Sequence, residues 1–124
     1  MSLTPAWQLD ASTLAEDVRS GTRSARDGVE QCLARIEATE GRVNAFTAVL
    51  AERALRRADR VDSHTKRATL SLAGVPFAAK NLFDIAGLPT LAGSKIERDA
   101  VPASRDALLV RLEVRHALSD LVAL

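Results

Sequence analysis

The sequence predicts an α/β fold whose sheet is incomplete within these 124 residues. Three observations lead to this prediction. Helical and extended segments alternate along the chain, which is typical of layered α/β architectures. Only two extended segments are recognisable, although two strands make a poor sheet. One of them is a short apolar run that ends in a lysine, Lys80, and a loop containing glycine and threonine follows it.

The composition is that of a soluble globular protein of single-domain length. Hydrophobic residues make up 47% and charged residues 27% of the chain. The formal net charge of +1 provides no general attraction for nucleic acid or an anionic membrane. A single cysteine excludes an intrachain disulfide and a cysteine-cluster metal site. Because no secretory signal and no membrane-spanning run is recognisable, we expect a cytoplasmic protein.

Two helices are predicted in the first third of the chain. The first, Asp10–Ser20, contains Thr13 and Glu16 at the spacing of a capping box, and a glycine follows it. The second, Ser24–Glu40, starts with a serine that can cap it and should end at Gly41. Its apolar residues recur at helical spacing on one face: Val29, Cys32, Leu33 and Ile36.

An extended segment, Val43–Val49, leads into a third helix over about Ala51–Val61. The face expected to be buried consists of Ala51, Ala54, Leu55, Ala58 and Val61. The opposite face consists of Arg53, Arg56, Arg57 and Arg60. Because acidic residues are interleaved with these arginines, we expect a solvated face and no phosphate-binding patch.

The remaining segments are predicted to be loop, strand, loop and helix, in that order: Asp62–Thr69, Ala73–Lys80, Gly87–Pro102 and Arg105–Leu124. The strand contains a glycine and Pro76 near its start, which is typical of an edge or a strand entrance. The last helix should begin at Asp106, a residue suited to a helix start.

Lys80 is the first candidate for a functional residue, and the residues alone leave two interpretations open. A lysine carried by a buried run is costly to keep charged, so its pKa can fall until the neutral amine accepts a proton. Alternatively, Lys80 ends a strand and reaches water along its aliphatic stem.

The loop after Lys80 supplies the second group of candidates, Gly87, Thr90, Gly93 and Ser94. Glycines allow a ligand to approach the backbone and hydroxyls can orient it, although a turn-rich connector has the same composition. The spacing around Gly93 does not fit a nucleotide-binding phosphate loop.

The other residues with reactive side chains have simpler interpretations. His64 and His116 lack partners at metal-ligand spacing, so both are expected at the surface and no zinc site is predicted. Cys32 lies on an apolar stripe and is interpreted as a small buried hydrophobic residue. No serine–histidine–aspartate arrangement is recognisable.

The stretch from Leu72 to Asp84 reads Leu-Ala-Gly-Val-Pro-Phe-Ala-Ala-Lys-Asn-Leu-Phe-Asp, and Gly87 to Ser94 reads Gly-Leu-Pro-Thr-Leu-Ala-Gly-Ser. Together they resemble the amidase signature family, in which Leu-Ala-Gly-x-Pro-x-x-x-Lys-(Asp/Asn) precedes Gly-x-x-Thr-x-x-Gly-Ser. Every anchor matches, with Asn81 in place of the commoner aspartate. The resemblance covers about Leu9 to Asp106, and Lys80 to Asp84 is similar to the carboxybiuret hydrolase branch.

The resemblance implies a mixed β-sheet sandwiched between helices, of which this chain holds the N-terminal part. It also implies hydrolysis of linear carbon–nitrogen amide bonds by a serine nucleophile, a second serine on a cis peptide, and a lysine at the position of Lys80. Ser94 matches a motif serine and neither catalytic serine, since both lie in a later segment of the family. The resemblance implies no metal or organic cofactor and a small-molecule amide as substrate. As partner it implies either a further copy in a homo-oligomer or an accessory subunit.

Residues 1–113 are therefore expected to be the N-terminal portion of an amidase domain. Residues 114–124 are expected to be a divergent tail, because the resemblance stops there, and a frameshift or a truncation would explain it. Without the serines, the chain alone should be inactive. The alternative hypothesis is a catalytically inactive fragment or a small helical module that binds a partner through its apolar faces.

Overall fold

The computed structural model describes residues 2–117 and 122–123. In chain order the helices and strands are α1 (Ala11–Ser20), α2 (Ala25–Val43), β1 (Ala48–Val49), α3 (Ala51–Asp62), β2 (Ala78–Ala79), α4 (Leu108–Ala117) and β3 (Val122–Ala123). Short 3-10 turns lie at Ala6–Gln8, Arg67–Thr69 and Ile96–Asp99. Within the described residues, no helix is both long and apolar enough to cross a membrane.

Helix α1 starts one turn before Thr13, the residue that the capping-box spacing suggests as its cap. The carboxylate of Asp10 accepts a hydrogen bond of 2.7 Å from the backbone N–H of Thr13, so Asp10 is the cap. Glu16 does not complete a box at this end but pairs with Arg19 at 2.8 Å. Gly21 ends the helix as predicted, in the left-handed conformation with φ of 80°.

Helix α2 runs past Gly41, where the sequence predicts its end. It continues to Val43 and ends at Asn44, which has φ of 48° and donates its backbone N–H to Glu40 O at 2.7 Å. Asparagine tolerates this left-handed conformation better than most residues, so it can take the place of a terminal glycine. The predicted cap at the other end is confirmed, because Ser24 Oγ accepts from Asp27 N at 3.0 Å.

The main core lies where α1, α2 and α3 meet the turn before β2. Small and branched residues fill it: Val18, Ala25, Val29, Ala54, Ala58, Val61 and Ala73. The predicted apolar stripe of α2 is confirmed, since Cys32, Leu33 and Ile36 pack against this cluster. Asp62, at the end of α3, also accepts from Ala25 N and Arg26 N at 2.7 and 3.0 Å, so it caps α2 across space.

The predicted arginine face of α3 is only partly solvated, which corrects the sequence interpretation. The side chains of Arg53 and Arg57 are 18% and 16% exposed. Arg53 makes paired hydrogen bonds of 3.0 and 2.9 Å to Asp106, and Arg57 lies 3.8 Å from the same carboxylate. The helical period showed which residues share a face, but it could not show that a carboxylate from much later in the chain would cover half of it.

Both predicted extended segments contain only a two-residue strand. The segment Val43–Val49 contributes β1, and Ala73–Lys80 contributes β2. The prediction fails over the first part of Ala73–Lys80 because the chain turns there, with Gly74 at φ of 66°. A Cβ atom at Gly74 would lie 2.8 Å from Ala25 Cβ, so this turn packs directly on α2.

The three strands form one mixed sheet in the order β1–β3–β2. Strand β3 is antiparallel to β1 and parallel to β2, with Ala48 opposite Ala123 and Ala78 opposite Val122. The predicted helix Arg105–Leu124 is wrong in part: α4 spans Leu108–Ala117, and Val122–Ala123 are extended. Residues 118–121 and 124, which belong to that helix and to the expected tail, lie outside the described residues.

The predicted start of α4 at Asp106 is wrong for a visible reason. The Asp106 carboxylate accepts from Arg53 and, at 2.8 Å, from the backbone N–H of Ala86. It therefore binds α3 and the loop after β2, and the helix starts two residues later at Leu108.

Candidate active site

Lys80 directly follows β2, at the point where the chain leaves the sheet. Ala79 is buried with Ile85 and Val110 in a second apolar cluster, which anchors the strand. Lys80 itself is exposed, so the described residues do not enclose its side chain. The predicted position at the end of a strand is confirmed, whereas the apolar enclosure around the amine is absent among the described residues.

Asn81 connects the end of β2 to the loop that follows. It is 8% exposed, and its Oδ1 accepts from Leu91 N at 3.2 Å. Its backbone oxygen accepts from Ala92 N at 2.8 Å, and its Nδ2 donates to Thr47 Oγ1 at 3.4 Å. Asn81 therefore holds the loop and the segment before β1 beside Lys80.

In the sequence, Asn81 stands out only as a departure from the commoner aspartate. Its contacts are with residues ten and more positions away, so no local pattern reveals them. The available signal was an amide side chain directly after a strand, which needs hydrogen-bond partners once it is buried.

The loop turns sharply opposite Lys80. Ala92 and Gly93 both adopt positive φ, 47° and 75°, and Ser94 N donates to Leu91 O at 2.8 Å. Ser94 Oγ accepts from Ile96 N at 3.2 Å, so this hydroxyl orders the start of the 3-10 turn Ile96–Asp99. The Ser94 oxygen thus takes part in the local structure of the loop.

The end of β2, the loop that follows it and Thr47 border an open cleft with a volume of about 540 Å³. Its lining residues are Thr47, Lys80, Asn81, Leu82, Leu91, Ala92, Gly93, Ser94, Lys95 and Arg98. The volume is within the range of small-molecule sites, about 300–1,000 Å³. The cleft joins the two groups of residues that the sequence singled out separately.

Two of the four predicted loop candidates lie in the cleft and two lie elsewhere. Gly93 and Ser94 line it together with Lys80. Thr90 instead donates its hydroxyl to the carboxylate of Asp84. Gly87, at φ of 85°, donates its N–H to Ala103 O at 2.9 Å and so stabilises the base of the loop.

The remaining candidates are remote from the cleft. Cys32 is half-buried, and burial raises the pKa of its thiol, with the charge of Arg23 acting weakly in the other direction. His64 is exposed, and its Nδ1 accepts from Lys66 N at 3.0 Å. The side chain of His116 lies outside those described. In the part of the chain that the structure describes, no three metal-ligating side chains group together.

The sequence profile of the Amidase family matches residues 27–116. AtzE, a 1-carboxybiuret hydrolase subunit of Pseudomonas sp. (strain ADP), is 51% identical over 100 residues, which is 79% of this chain and 22% of that protein. A glutamyl-tRNA(Gln) amidotransferase subunit of Anaeromyxobacter dehalogenans (strain 2CP-C) is 39% identical over 120 residues, 93% of this chain and 24% of that protein.

Two solved structures extend the comparison. A vestigial protein complex described as revealing the origins of an s-triazine catabolic enzyme contains a chain that is 47% identical, with a TM-score of 0.83. The match covers 91% of this chain and 25% of that one. A bacterial aryl acylamidase of the amidase signature family is 25% identical, with a TM-score of 0.81 over 93% of this chain and 24% of that one. The chain thus spans roughly a quarter of the length of these relatives.

Proposed function

Because the chain belongs to the amidase signature family, we propose that it contributes Lys80 as the catalytic base of an enzyme that hydrolyses linear carbon–nitrogen amide bonds. One observation carries the proposal: Lys80 shares a cleft with the Gly93–Ser94 turn, so both halves of the signature meet at one site. In this proposal residues 1–113 form the N-terminal portion of an amidase domain. The single cysteine fits a reducing, cytoplasmic setting.

The proposed chemistry is acyl transfer through a serine. Lys80 acts as the base: it takes a proton, relayed through one serine, from the hydroxyl of a second serine as that oxygen attacks the amide carbonyl. The carbon–nitrogen bond then breaks, the amine leaves with the proton, and water releases the acyl group from the serine. In the amidase signature pattern both serines lie in a later segment and Ser94 matches neither, so the proposal takes both from polypeptide other than these 124 residues.

Exposed apolar side chains around the site support the idea that further polypeptide covers it. Leu82 borders the cleft and is 47% exposed, and Leu109 on α4, which is 55% exposed, lines a neighbouring depression that also includes Lys80. Apolar groups exposed together in this way mark surfaces that bind other protein. Covering them would also enclose Lys80, which the described residues leave in water.

The same leucines favour a second candidate function, a helical module that only binds another polypeptide. Both curated relatives quoted above are named as subunits, which fits either an accessory subunit or an oligomer as partner. The two candidates differ in what Lys80 does, so an activity measurement separates them.

The decisive experiment places this chain in a complete amidase. The matched segment of the 51%-identical relative is replaced with this sequence, and ammonia release from that enzyme's own substrate is measured. The chimera should be active, and Lys80→Ala should lower kcat by a factor of at least about 10², the typical contribution of a general base. The matched control is Lys66→Ala, an exposed lysine outside the cleft, which should leave the rate unchanged.

A folded chimera that is inactive, while the parent relative is active, would contradict the proposed contribution to catalysis. An active chimera in which Lys80→Ala has no effect would contradict the role of Lys80 and favour the binding module.

A further inference from the structure

Four arginines of α3 border a groove that shares no lining residue with the cleft at Lys80. They are three and four positions apart, so they lie along one face of the helix: Arg53, Arg56, Arg57 and Arg60. The groove between them, called the arginine groove below, has a volume of about 180 Å³. A concave site lined by charges of one sign attracts ligands of the opposite sign.

The last two acidic residues of α3 point away from this groove. Asp59 pairs with Arg26 of α2 at 2.8 Å. Asp62 accepts hydrogen bonds from the backbone N–H groups of Ala25 and Arg26. Their presence in the sequence argues against a phosphate-binding patch, but neither of them lines the groove. The fold therefore separates charges that are mixed along the sequence.

The inner side of the arginine groove is held in place by Asp106. Its carboxylate accepts paired hydrogen bonds from Arg53 and lies 3.8 Å from the guanidinium group of Arg57. Both arginine side chains are mostly buried. They are therefore positioned before a ligand arrives, which lowers the entropic cost of binding.

The outer side of the groove consists of two exposed arginines, Arg56 and Arg60. They are one helical turn apart, so their charges repel each other. Among residues 2–117 and 122–123, Arg60 takes part in no ion pair. Arg56 pairs with Glu52, but both side chains are exposed, and an exposed pair of this kind contributes little. An anion could replace Glu52 and would relieve the repulsion between the two arginines.

We propose that the arginine groove binds a phosphate group with two negative charges, either inorganic phosphate or the end of a small phosphomonoester. Guanidinium groups present paired N–H donors that match phosphate oxygens. A dianion can pair with Arg56 and Arg60 together, whereas a carboxylate or a phosphodiester carries a single charge. The groove is smaller than the sites of about 300–1,000 Å³ that hold whole small molecules, so it suits the phosphate group alone. This inference does not depend on the catalytic role proposed for Lys80.

The first test compares two ligands that differ by one methyl group. At about pH 7.5 methyl phosphate is mostly doubly charged, because the second pKa of a phosphomonoester is about 6, whereas dimethyl phosphate carries one charge. Each is titrated into the isotopically labelled chain at constant ionic strength, and NMR follows the side-chain Nε–H signals of the arginines. We expect methyl phosphate to bind about three- to fivefold more tightly, the effect of one further exposed ion pair. The largest shifts should fall on Arg56 and Arg60.

Substitutions then locate the site. Arg56→Gln and Arg60→Gln should each weaken the binding of methyl phosphate about three- to fivefold. Arg42→Gln and Arg111→Gln are the matched controls, since they remove the same charge from exposed positions outside the groove, and they should leave the affinity unchanged. Because all four side chains are exposed, all four variants should keep the fold.

A substitution of the opposite charge should have the opposite effect. Glu52→Gln removes the competitor for Arg56, so methyl phosphate should bind about twofold more tightly. Glu37→Gln removes an exposed acid from α2 and should not change the affinity. Equal gains in the two variants would show a general effect of net charge and would contradict a site at Arg56.

Equal affinity for methyl phosphate and dimethyl phosphate, or no binding of either, would overturn the inference. Shifts of similar size at all the arginines of the chain would also overturn it, because they would indicate general attraction without a site. Inorganic phosphate then identifies the source of the group. Tighter binding than that of methyl phosphate indicates the free ion, and equal or weaker binding indicates a phosphorylated small molecule; either result supports the inference.

Discussion

At the scale of single residues, two positions near the cleft are determined by contacts that are distant in sequence. Asn81 is buried and uses its amide and its backbone oxygen to hold the loop at Leu91 and Ala92. Gly74 is buried against α2 in a conformation that side chains rarely adopt. Both residues belong to the family signature, yet their contacts here are structural.

Replacing Asn81 with alanine should release the loop from the end of β2. The Leu91 N–H loses its acceptor, so we expect the free energy of unfolding to fall by about 1–3 kcal/mol in chemical denaturation. Amide hydrogen exchange at Leu91 should accelerate as well. Asn81→Asp is the matched comparison: a carboxylate oxygen can still accept from Leu91, so the loss should be smaller. Equal losses in the two variants would contradict the role given to Oδ1.

Gly74→Ala tests the close approach of the turn to α2. The new Cβ would meet Ala25 Cβ at 2.8 Å and Val18 Cγ2 at 3.1 Å, and φ is 66°. We expect thermal and chemical denaturation to show a loss of about 2–4 kcal/mol, from strain and displaced core packing together. Gly87→Ala shares the positive φ but meets nothing within 4 Å, so it should lose only about 1–2 kcal/mol. A similar loss at both positions would show that the clash at Gly74 is relieved easily.

At the scale of elements, α2 and α3 are joined by a cap that crosses between them. The carboxylate of Asp62 accepts from Ala25 N and Arg26 N, two donors that a helix N-terminus cannot satisfy within itself. Arg26 in turn pairs with Asp59, also on α3, at 2.8 Å. The polar contacts thus lie at the same end as the buried residues Ala25 and Val61 and fix how the two helices cross.

Asp62→Ala should destabilise the helix pair more than the loss of an ordinary surface acid. We expect the free energy of unfolding to fall by about 1–3 kcal/mol, because two backbone donors lose a charged acceptor. Asp27→Ala is the control: it removes an exposed acid from the first turn of α2 without removing either bond, so its effect should be clearly smaller. If Asp27→Ala lowered the free energy of unfolding as much as Asp62→Ala, the favourable interaction of any acidic residue with the N-terminus of α2 would explain both results.

The helices were predictable from sequence because their periodicity extends over several turns, as the stripe of α2 shows. The strands were not, since a two-residue strand has no period and depends on the partner that pairs with it. The end of α2 at Asn44 and the start of α4 after Asp106 were missed for a related reason. Each is set by a particular hydrogen bond or ion pair, which composition does not reveal.

At the scale of the whole molecule, Asp106 connects the three-helix core to the loop that lines the cleft. Its carboxylate lies between Arg53 and Arg57 of α3 and the backbone of Ala86, so it holds the loop of the cleft to the helices. The sequence placed the arginines together on one face of α3, but it assigned Asp106 to the start of the last helix, which begins only at Leu108. Their pairing over 53 positions follows from the fold alone.

Asp106→Asn should therefore loosen the cleft loop and α4 together. We expect a loss of about 2–3 kcal/mol in the free energy of unfolding, because hydrogen bonds to a charged acceptor are weakened and two partly buried arginines lose their counter-charge. Faster hydrogen exchange at Ala86 should accompany it. Asp99→Asn, an exposed acid outside the cleft lining, should change neither quantity. An unchanged exchange rate at Ala86 in Asp106→Asn would contradict this role.

The Asp106 carboxylate should also make the free energy of unfolding depend on pH. Burial alone would raise the pKa of Asp106, but the Ala86 N–H bond, the Arg53 bonds and the charges of Arg53 and Arg57 outweigh it and lower the pKa. Because the folded pKa is below the unfolded one, this stability is present above about pH 4 and is lost as the pH falls through the folded value. In denaturation experiments at successive pH values, the free energy of unfolding should fall more steeply with decreasing pH in the wild type than in Asp106→Asn. Parallel curves would contradict this assignment.

The order of the sheet also has a consequence for the timing of folding. Strand β3 lies between β1 and β2 although it follows both in the chain, so among residues 2–117 and 122–123 neither outer strand has a partner other than Val122–Ala123. During synthesis on a ribosome the three-helix core can assemble early. The backbone groups of the two outer strands stay unpaired until β3 has been made. Such long-range pairing is slow and exposes edges that other chains can capture. We expect a nascent chain that has emerged only as far as α4 to bind chaperones more strongly than one from which β3 has also emerged.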